Sequence, residues 1–209
     1  MEFLIPLWKH QLDGLNRARG QPGFALFFEM GTGKTATIIN ILREQFNERK
    51  RVLRTLIFTP PAVIQGWRKE GLAHARIDPR AITLLRGSAR CRTALVNQRG
   101  FEAALGGTER LPKGHVFITN YESLRMPELY EALLAWRPEA LVLDESHKCK
   151  SRSTKQSKFA ENLANPFDRK LKKVLPPPLK YLATGTPILN SPLDLFQQFL
   201  ILDCGETFG

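Results

Sequence analysis

The chain is short of cysteine, of acidic residues and of long apolar runs. Its three cysteines, Cys91, Cys149 and Cys204, are scattered, and none forms a Cys-x-x-Cys pair. That argues against a disulfide framework or a zinc knuckle and points to a reducing compartment. No apolar run approaches the ~18 residues needed to cross a bilayer, so no membrane segment is expected. The opening Met1–Trp8 stretch is too short and, with Glu2, too acidic for a secretory signal. What remains is ordinary in bulk: 209 residues, 43% hydrophobic and 24% charged, which excludes disordered and collagen-like classes. With no marked shift in composition, residues 1–209 read as one domain.

The shortage of acid leaves 31 Lys plus Arg against 20 Asp plus Glu, a net charge of +11. Such an excess attracts polyanions, of which nucleic acid is the commonest large one. It is unevenly placed. Residues 51–100 hold ten basic and two acidic residues, whereas 101–150 hold six and eight.

Short β-branched or aromatic runs punctuate the chain at Phe24–Phe28, Leu53–Phe58, Ala81–Leu85, Val116–Thr119, Ala140–Leu143 and Tyr181–Thr184. Several are apolar almost throughout, as strands covered on both faces are. Between them lie amphipathic stretches. Thr35–Phe46 puts Ile38, Ile41, Leu42 and Phe46 on one stripe, and Leu193–Leu202 reads with Leu195, Phe196, Phe199 and Leu200 inward. This alternation predicts an α/β fold, a doubly wound, mostly parallel sheet with helices on both faces. Asn165–Lys180, basic at Arg169, Lys170, Lys172 and Lys173 and carrying the triple proline Pro176–Pro178, reads as a surface loop.

The sharpest chemical signal is Glu29-Met30-Gly31-Thr32-Gly33-Lys34-Thr35, between the first strand and the first long helical stretch. Strand, glycine loop and helix in that order form the setting of a phosphate loop. Glycines let successive N–H groups converge on one anion, and the helix N-terminus adds partial positive charge. Lys34 would reach the β- and γ-phosphates, and the Thr35 hydroxyl would ligate Mg²⁺. One feature departs from the usual spacing: Phe28 stands where the first glycine belongs. Such a loop needs an acidic partner. Ala140–Glu145 delivers Asp144 and Glu145 from a buried strand to the carboxyl edge of the sheet, where ligands bind in open α/β folds. Asp144 would hold the metal, and Glu145 would orient the attacking water and take its proton.

These residues resemble the first RecA-like lobe of Swi/Snf-type DNA-dependent ATPases of helicase superfamily two. Six ordered stretches carry the resemblance. Leu7–Leu15 looks like the glutamine motif, Glu29–Thr35 like motif I, and Thr59-Pro60-Pro61 with Trp67–Glu70 like motif Ia. Ile118–Glu122 looks like motif Ib, Asp144–Lys148 like motif II, and Ala183–Asn190 like motif III. Phe28 for Asp and Ser146 for the commoner Ala are the departures.

The resemblance implies ATP and Mg²⁺ as cofactors. Gln11 would read adenine, Met30, Gly31, Thr32, Gly33, Lys34 and Thr35 would bind the nucleotide, and Lys34, Asp144 and Glu145 would act in hydrolysis. Duplex DNA would be met by Thr59, by Asn120 and by backbone amides at Pro60–Ala62 and Thr119–Tyr121, with Arg54, Arg68, Arg86 and Arg90 as helpers. His147 and Thr186 would couple nucleotide state to the DNA side. A second RecA-like lobe bearing an arginine finger would follow Gly209, and without it the lobe would turn ATP over poorly. The location would be cytoplasmic in a prokaryotic or viral setting and nuclear in a eukaryotic one. Two readings compete: a non-hydrolysing nucleic-acid-binding module, and the lobe of an RNA helicase or restriction translocase. Gly-Thr-Pro-Ile-Leu-Asn in motif III favours the Swi/Snf type.

Overall fold

A computed structural model describes residues 4–104, 115–168 and 172–208. Met1, Glu2, Arg169, Lys170 and Gly209 lie outside them. Six strands, β1 (Gly23–Leu26), β2 (Thr55–Phe58), β3 (Ile82–Leu84), β4 (Val116–Thr119), β5 (Ala140–Asp144) and β8 (Leu179–Ala183), form one sheet in the order β1-β8-β5-β2-β4-β3. Every pairing within it is parallel. A two-residue antiparallel pair, β6 (Phe167–Asp168) with β7 (Lys173–Val174), stands apart. The helices are α1 (Lys9–Ala18), α2 (Lys34–Arg49), α3 (Ile64–Ala75), α4 (Ala89–Ala104), α5 (Pro127–Trp136), α6 (Lys155–Ala164) and α7 (Leu193–Asp203).

The two-residue period of a strand divides the core into two layers. Ile57, Ile118, Val142, Tyr181 and Ala183 face Leu15, Ile38, Ile41 and Trp67 of α1, α2 and α3. Leu56, Phe58, Phe117, Leu141, Leu143 and Leu182 face α4 to α7 through Val96, Leu133, Leu163 and Ile201. The sheet is therefore covered on both sides, which is why its strands are apolar runs rather than alternating ones.

Three helical and loop expectations need correction. In α7 the buried stripe is Asp194, Gln197, Gln198, Ile201 and Leu202; of the expected residues Phe199 is partly buried against the core, Leu195 and Leu200 are half-buried and Phe196 is exposed. The helix is turned by about one residue because Asp194 and Gln198 make polar contacts beneath it. Phe46 of α2 is 42% exposed, while the first half of that helix, Ala36–Ile41, is buried on all sides between α1, α3 and the sheet. The Asn165–Lys180 stretch is not all loop. It holds the β6–β7 pair, and β8 starts two residues earlier than expected, with the Lys180 amine buried and donating to Asn165 Oδ1 at 3.1 Å.

Candidate nucleotide-binding site

Parallel strands leave their carboxyl ends on one edge, and the motif stretches gather there. Leu26 of β1 lies level with Ala183 of β8, and Ala183 with Asp144 of β5. At ~4.8 Å per strand the loop leaving β1 starts about 10 Å from Asp144. Residues 27–33 turn back into α2 through Gly31 (φ 75°) and Gly33 (φ 82°), conformations that cost a side-chain-bearing residue strain. A Cβ at Gly33 would also fall 2.1 Å from Gln11 Nε2, so the amide that braces the loop would have to move.

The loop is braced from both ends. His10 Nε2 and Gln11 Nε2 of α1 both meet the Thr32 carbonyl at 2.9 Å, and the Thr32 hydroxyl donates to Glu29 O. Gln11 Oε1 accepts from Trp8 N at 2.9 Å, so the buried amide spans the start of α1 and the loop. Lys34 is 8% exposed, and its ammonium donates to Phe28 O and Glu29 O at 3.1 and 3.0 Å. Two of its three donors are used on the loop's own carbonyls, leaving one for an anion.

Asp144 is 6% exposed. Its Oδ2 accepts from Thr59 Oγ1 at 2.6 Å and from Trp67 Nε1 at 2.7 Å. Burial raises its pKa above the ordinary carboxylate value, and those two donors and Lys34 pull the other way. Because both bonds fall on Oδ2, Oδ1 is spared. The buried Tyr121 hydroxyl fixes the Asp144 carbonyl at 2.6 Å. A spared carboxylate oxygen, the Thr35 hydroxyl and the loop amides are hard oxygen and N–H groups, the donor set that suits Mg²⁺ and phosphate.

Glu145 leaves the strand in the left-handed region at φ 54°. That strain swings its carboxylate toward the exit of β8. Oε2 accepts from Thr184 Oγ1 at 3.1 Å and lies 3.3 Å from His147 Nδ1. His147 Nδ1 also meets Thr184 Oγ1 at 2.9 Å and Thr186 Oγ1 at 3.4 Å, while Thr186 N donates to Thr184 Oγ1. Thr184 has one hydrogen to give. With that hydrogen on Glu145, Nδ1 of His147 must carry a proton and donate. Desolvation lowers the His147 pKa, so the neutral Nδ1–H form satisfies the set.

A model of the SNF2-related domain matches residues 10–207. The chain belongs to that family. Curated relatives include the CHD3-type chromatin-remodeling factor PICKLE of Arabidopsis thaliana, 26% identical over 228 residues, covering 100% of this chain and 15% of that protein. The DNA repair and recombination protein RAD54-like of Gallus gallus is 28% identical over 215 residues, covering 94% of this chain and 26% of that protein. The fold matches the Sulfolobus solfataricus SWI2/SNF2 ATPase core in complex with dsDNA at a TM-score of 0.69 and 22% identity, over 97% of this chain and 37% of that one. The SNF2-related domain thus spans about a quarter or less of these curated relatives' length, and its sheet is the RecA-like α/β layer expected.

Within the domain, Gln11, Met30–Thr35, Asp144, Glu145, His147 and Thr186 converge on one edge. The residues expected to face nucleic acid need revision. The Thr59 side chain is fully buried on Asp144, so its hydroxyl supports the carboxylate rather than meeting a phosphate. Pro60 and Pro61 have no N–H to offer, which leaves Ala62 as the amide of that stretch. Asn120 is half-buried, and its Oδ1 accepts from Arg92 Nη1 at 3.1 Å and Ser123 Oγ at 2.9 Å. Arg54 precedes β2, on the opposite edge, where its Nε donates to Arg137 O. Arg51, which adds to the basic surplus, also sits there, paired with Glu139. Arg86 and Arg90 do follow β3 on the motif edge and are exposed.

Trp67, Arg92 and Gln198 also support the site, through bonds to Asp144, Asn120 and Ser146. Trp67 had a signal, as the one aromatic in a polar helical start. Arg92 and Gln198 had none, because their partners lie 28 and 52 residues away.

Proposed function

We propose that this SNF2-related domain is the ATP-binding lobe of a DNA-dependent ATPase that couples hydrolysis to movement on duplex DNA. The observation that carries the reading is that the braced Lys34 loop and the spared oxygen of Asp144 share one sheet edge, with Lys34 near enough to act on the Asp144 charge. Mg²⁺ would neutralise the phosphate oxygens and make the γ-phosphoryl group open to attack. Lys34 and the Gly31–Thr35 amides hold the phosphates. Thr35 and Asp144 would hold the metal. Glu145, held by Thr184, orients a water and accepts its proton as the new P–O bond forms and the anhydride bond breaks. His147 and Thr186, bonded to the same Thr184 hydroxyl, register whether Glu145 is engaged. The exposed Arg86 and Arg90 and the Ala62 amide are the phosphate-backbone contacts on this edge. A second RecA-like lobe supplies the other wall of the cleft.

The test is calorimetry and turnover with Mg·ATP. Lys34→Ala removes binding; Glu145→Gln keeps binding and blocks turnover in the whole enzyme. Unchanged binding in Lys34→Ala rejects the site. Stimulation of that enzyme by duplex DNA, and less by single strands or RNA, supports the substrate, and equal stimulation by RNA rejects it.

A further inference from the structure

Two loops that carry the proposed chemistry, residues 144–150 and 184–190, are each anchored on α7 by side chains that the preceding reading leaves without a role. Ser146 and Gln198 are both fully buried. Ser146 Oγ donates to Gln198 Oε1 at 2.6 Å. The Gln198 amide nitrogen donates to Pro187 O and to Asp194 O, each at 2.9 Å. One glutamine thus holds the first loop by its oxygen and the second by its nitrogen, and both amide hydrogens are used. A turn earlier on α7, Asp194 Oδ2 accepts from Leu189 N and Asn190 N at 2.9 and 2.8 Å and lies 3.5 Å from Lys150 Nζ. The polar stripe that turned α7 away from its expected orientation is therefore a double clamp.

The geometry points to Gln198 as a positioning residue that fixes the Glu145 loop against the Thr186 loop through α7. This rests on the nucleotide reading of the site. Two apolar residues would pack as well here at no polar cost, whereas this pair must keep every bond or strand a buried polar atom. A rise or shift of Ser146 on nucleotide binding must pull Gln198, and Gln198 cannot move without carrying the Pro187 carbonyl. The path is separate from the His147–Thr184 bonds, since it runs beneath the loops rather than across them.

Side-chain amide NMR tests this on the whole chain, with the Gln198 pair assigned by its loss in Gln198→Leu. Addition of Mg·ATP should shift the Gln198 amide signals in the wild type. In Ser146→Ala, Mg·ATP affinity should stay within about threefold, because the Ser146 hydroxyl is buried against Gln198, while the Gln198 shift disappears. A merely structural Ser146 would lower the melting temperature and leave that shift intact, which overturns the proposal. A wild-type Gln198 that does not respond although Mg·ATP binds also overturns it, with no variant needed. Failure of the wild type to bind Mg·ATP at all, matching Lys34→Ala, instead refutes the nucleotide reading and removes this inference with it.

Discussion

Trp67 donates its indole N–H to Asp144 at 2.7 Å, on the same oxygen that Thr59 already occupies. The helix after β2 therefore helps set which carboxylate oxygen is left without a donor. Trp67→Phe keeps most of the volume and removes the donor. Without it the Asp144 pKa rises further, because a hydrogen bond to the charged form is lost. Mg·ATP affinity should fall about tenfold, the scale of lost support around a metal ligand. The deficit should widen as pH is lowered. Calorimetry across pH checks both, and a pH-independent loss would count against the assignment.

Asp144 should also oppose folding. Its pKa is raised by burial, so the unfolded chain ionises it more easily. Stability from this group is greatest when it is protonated and is lost as pH rises past its unfolded value toward its folded one. Asp144→Asn should therefore melt about 2–4 °C higher at neutral pH, roughly 1 kcal/mol, while losing Mg²⁺-dependent binding. The gain should shrink as acid protonates the native aspartate. Differential scanning at several pH values reads it directly.

On the opposite edge, Glu139 carries the reverse sign. Arg51 pairs with it at 2.8 and 2.5 Å and Arg54 N donates at 3.0 Å. The Arg51 bond, foremost, brings its pKa down to about 2. That stability is complete above the ordinary carboxylate range and is lost as pH falls from there through about 2. Arg51 is part-exposed, so solvent screening holds the cost of Glu139→Gln to about 1 kcal/mol at neutral pH. Urea titration at pH 7 and pH 3 should show the variant and wild type converging in acid.

Gly71 offers a gain without touching the site. It lies inside α3, and a Cβ there would sit 3.5 Å from Ile82 Cδ1, an ordinary contact. An apolar cavity of about 300 Å³ opens beside it, lined by Ile39, Leu42, Trp67, Ile77 and Ile82 among others. Gly71→Ala should stabilise by about 1 kcal/mol through helix propensity. Nucleotide affinity should be unchanged. A lower melting temperature would mean that α3 needs the close approach.

All six main strands were legible from apolar runs, because a two-sided sheet writes its strands as continuous hydrophobic stretches. Their order was not, since pairing is set by contacts far apart in the chain. The glycine turn into α2 and the strand end at Asp144 were legible from local sequence. Thr59, assigned to nucleic acid through the resemblance to motif Ia, is instead bonded to Asp144, a partner 85 residues away that only the fold reveals. The α7 stripe was misread for the same reason. Periodicity weighs leucine and phenylalanine as inward, yet two buried amides and a carboxylate took that side and left Phe196 outside at 37%.

The last strand of the sheet to enter the chain is wedged between the two that carry the Lys34 loop and Asp144. Any widening or narrowing of the gap between those neighbours must strain the ladder on both flanks of β8. Its exit, Thr184–Thr186, thus lies by topology alone between the loop that leaves β1 and the carboxylates that end β5.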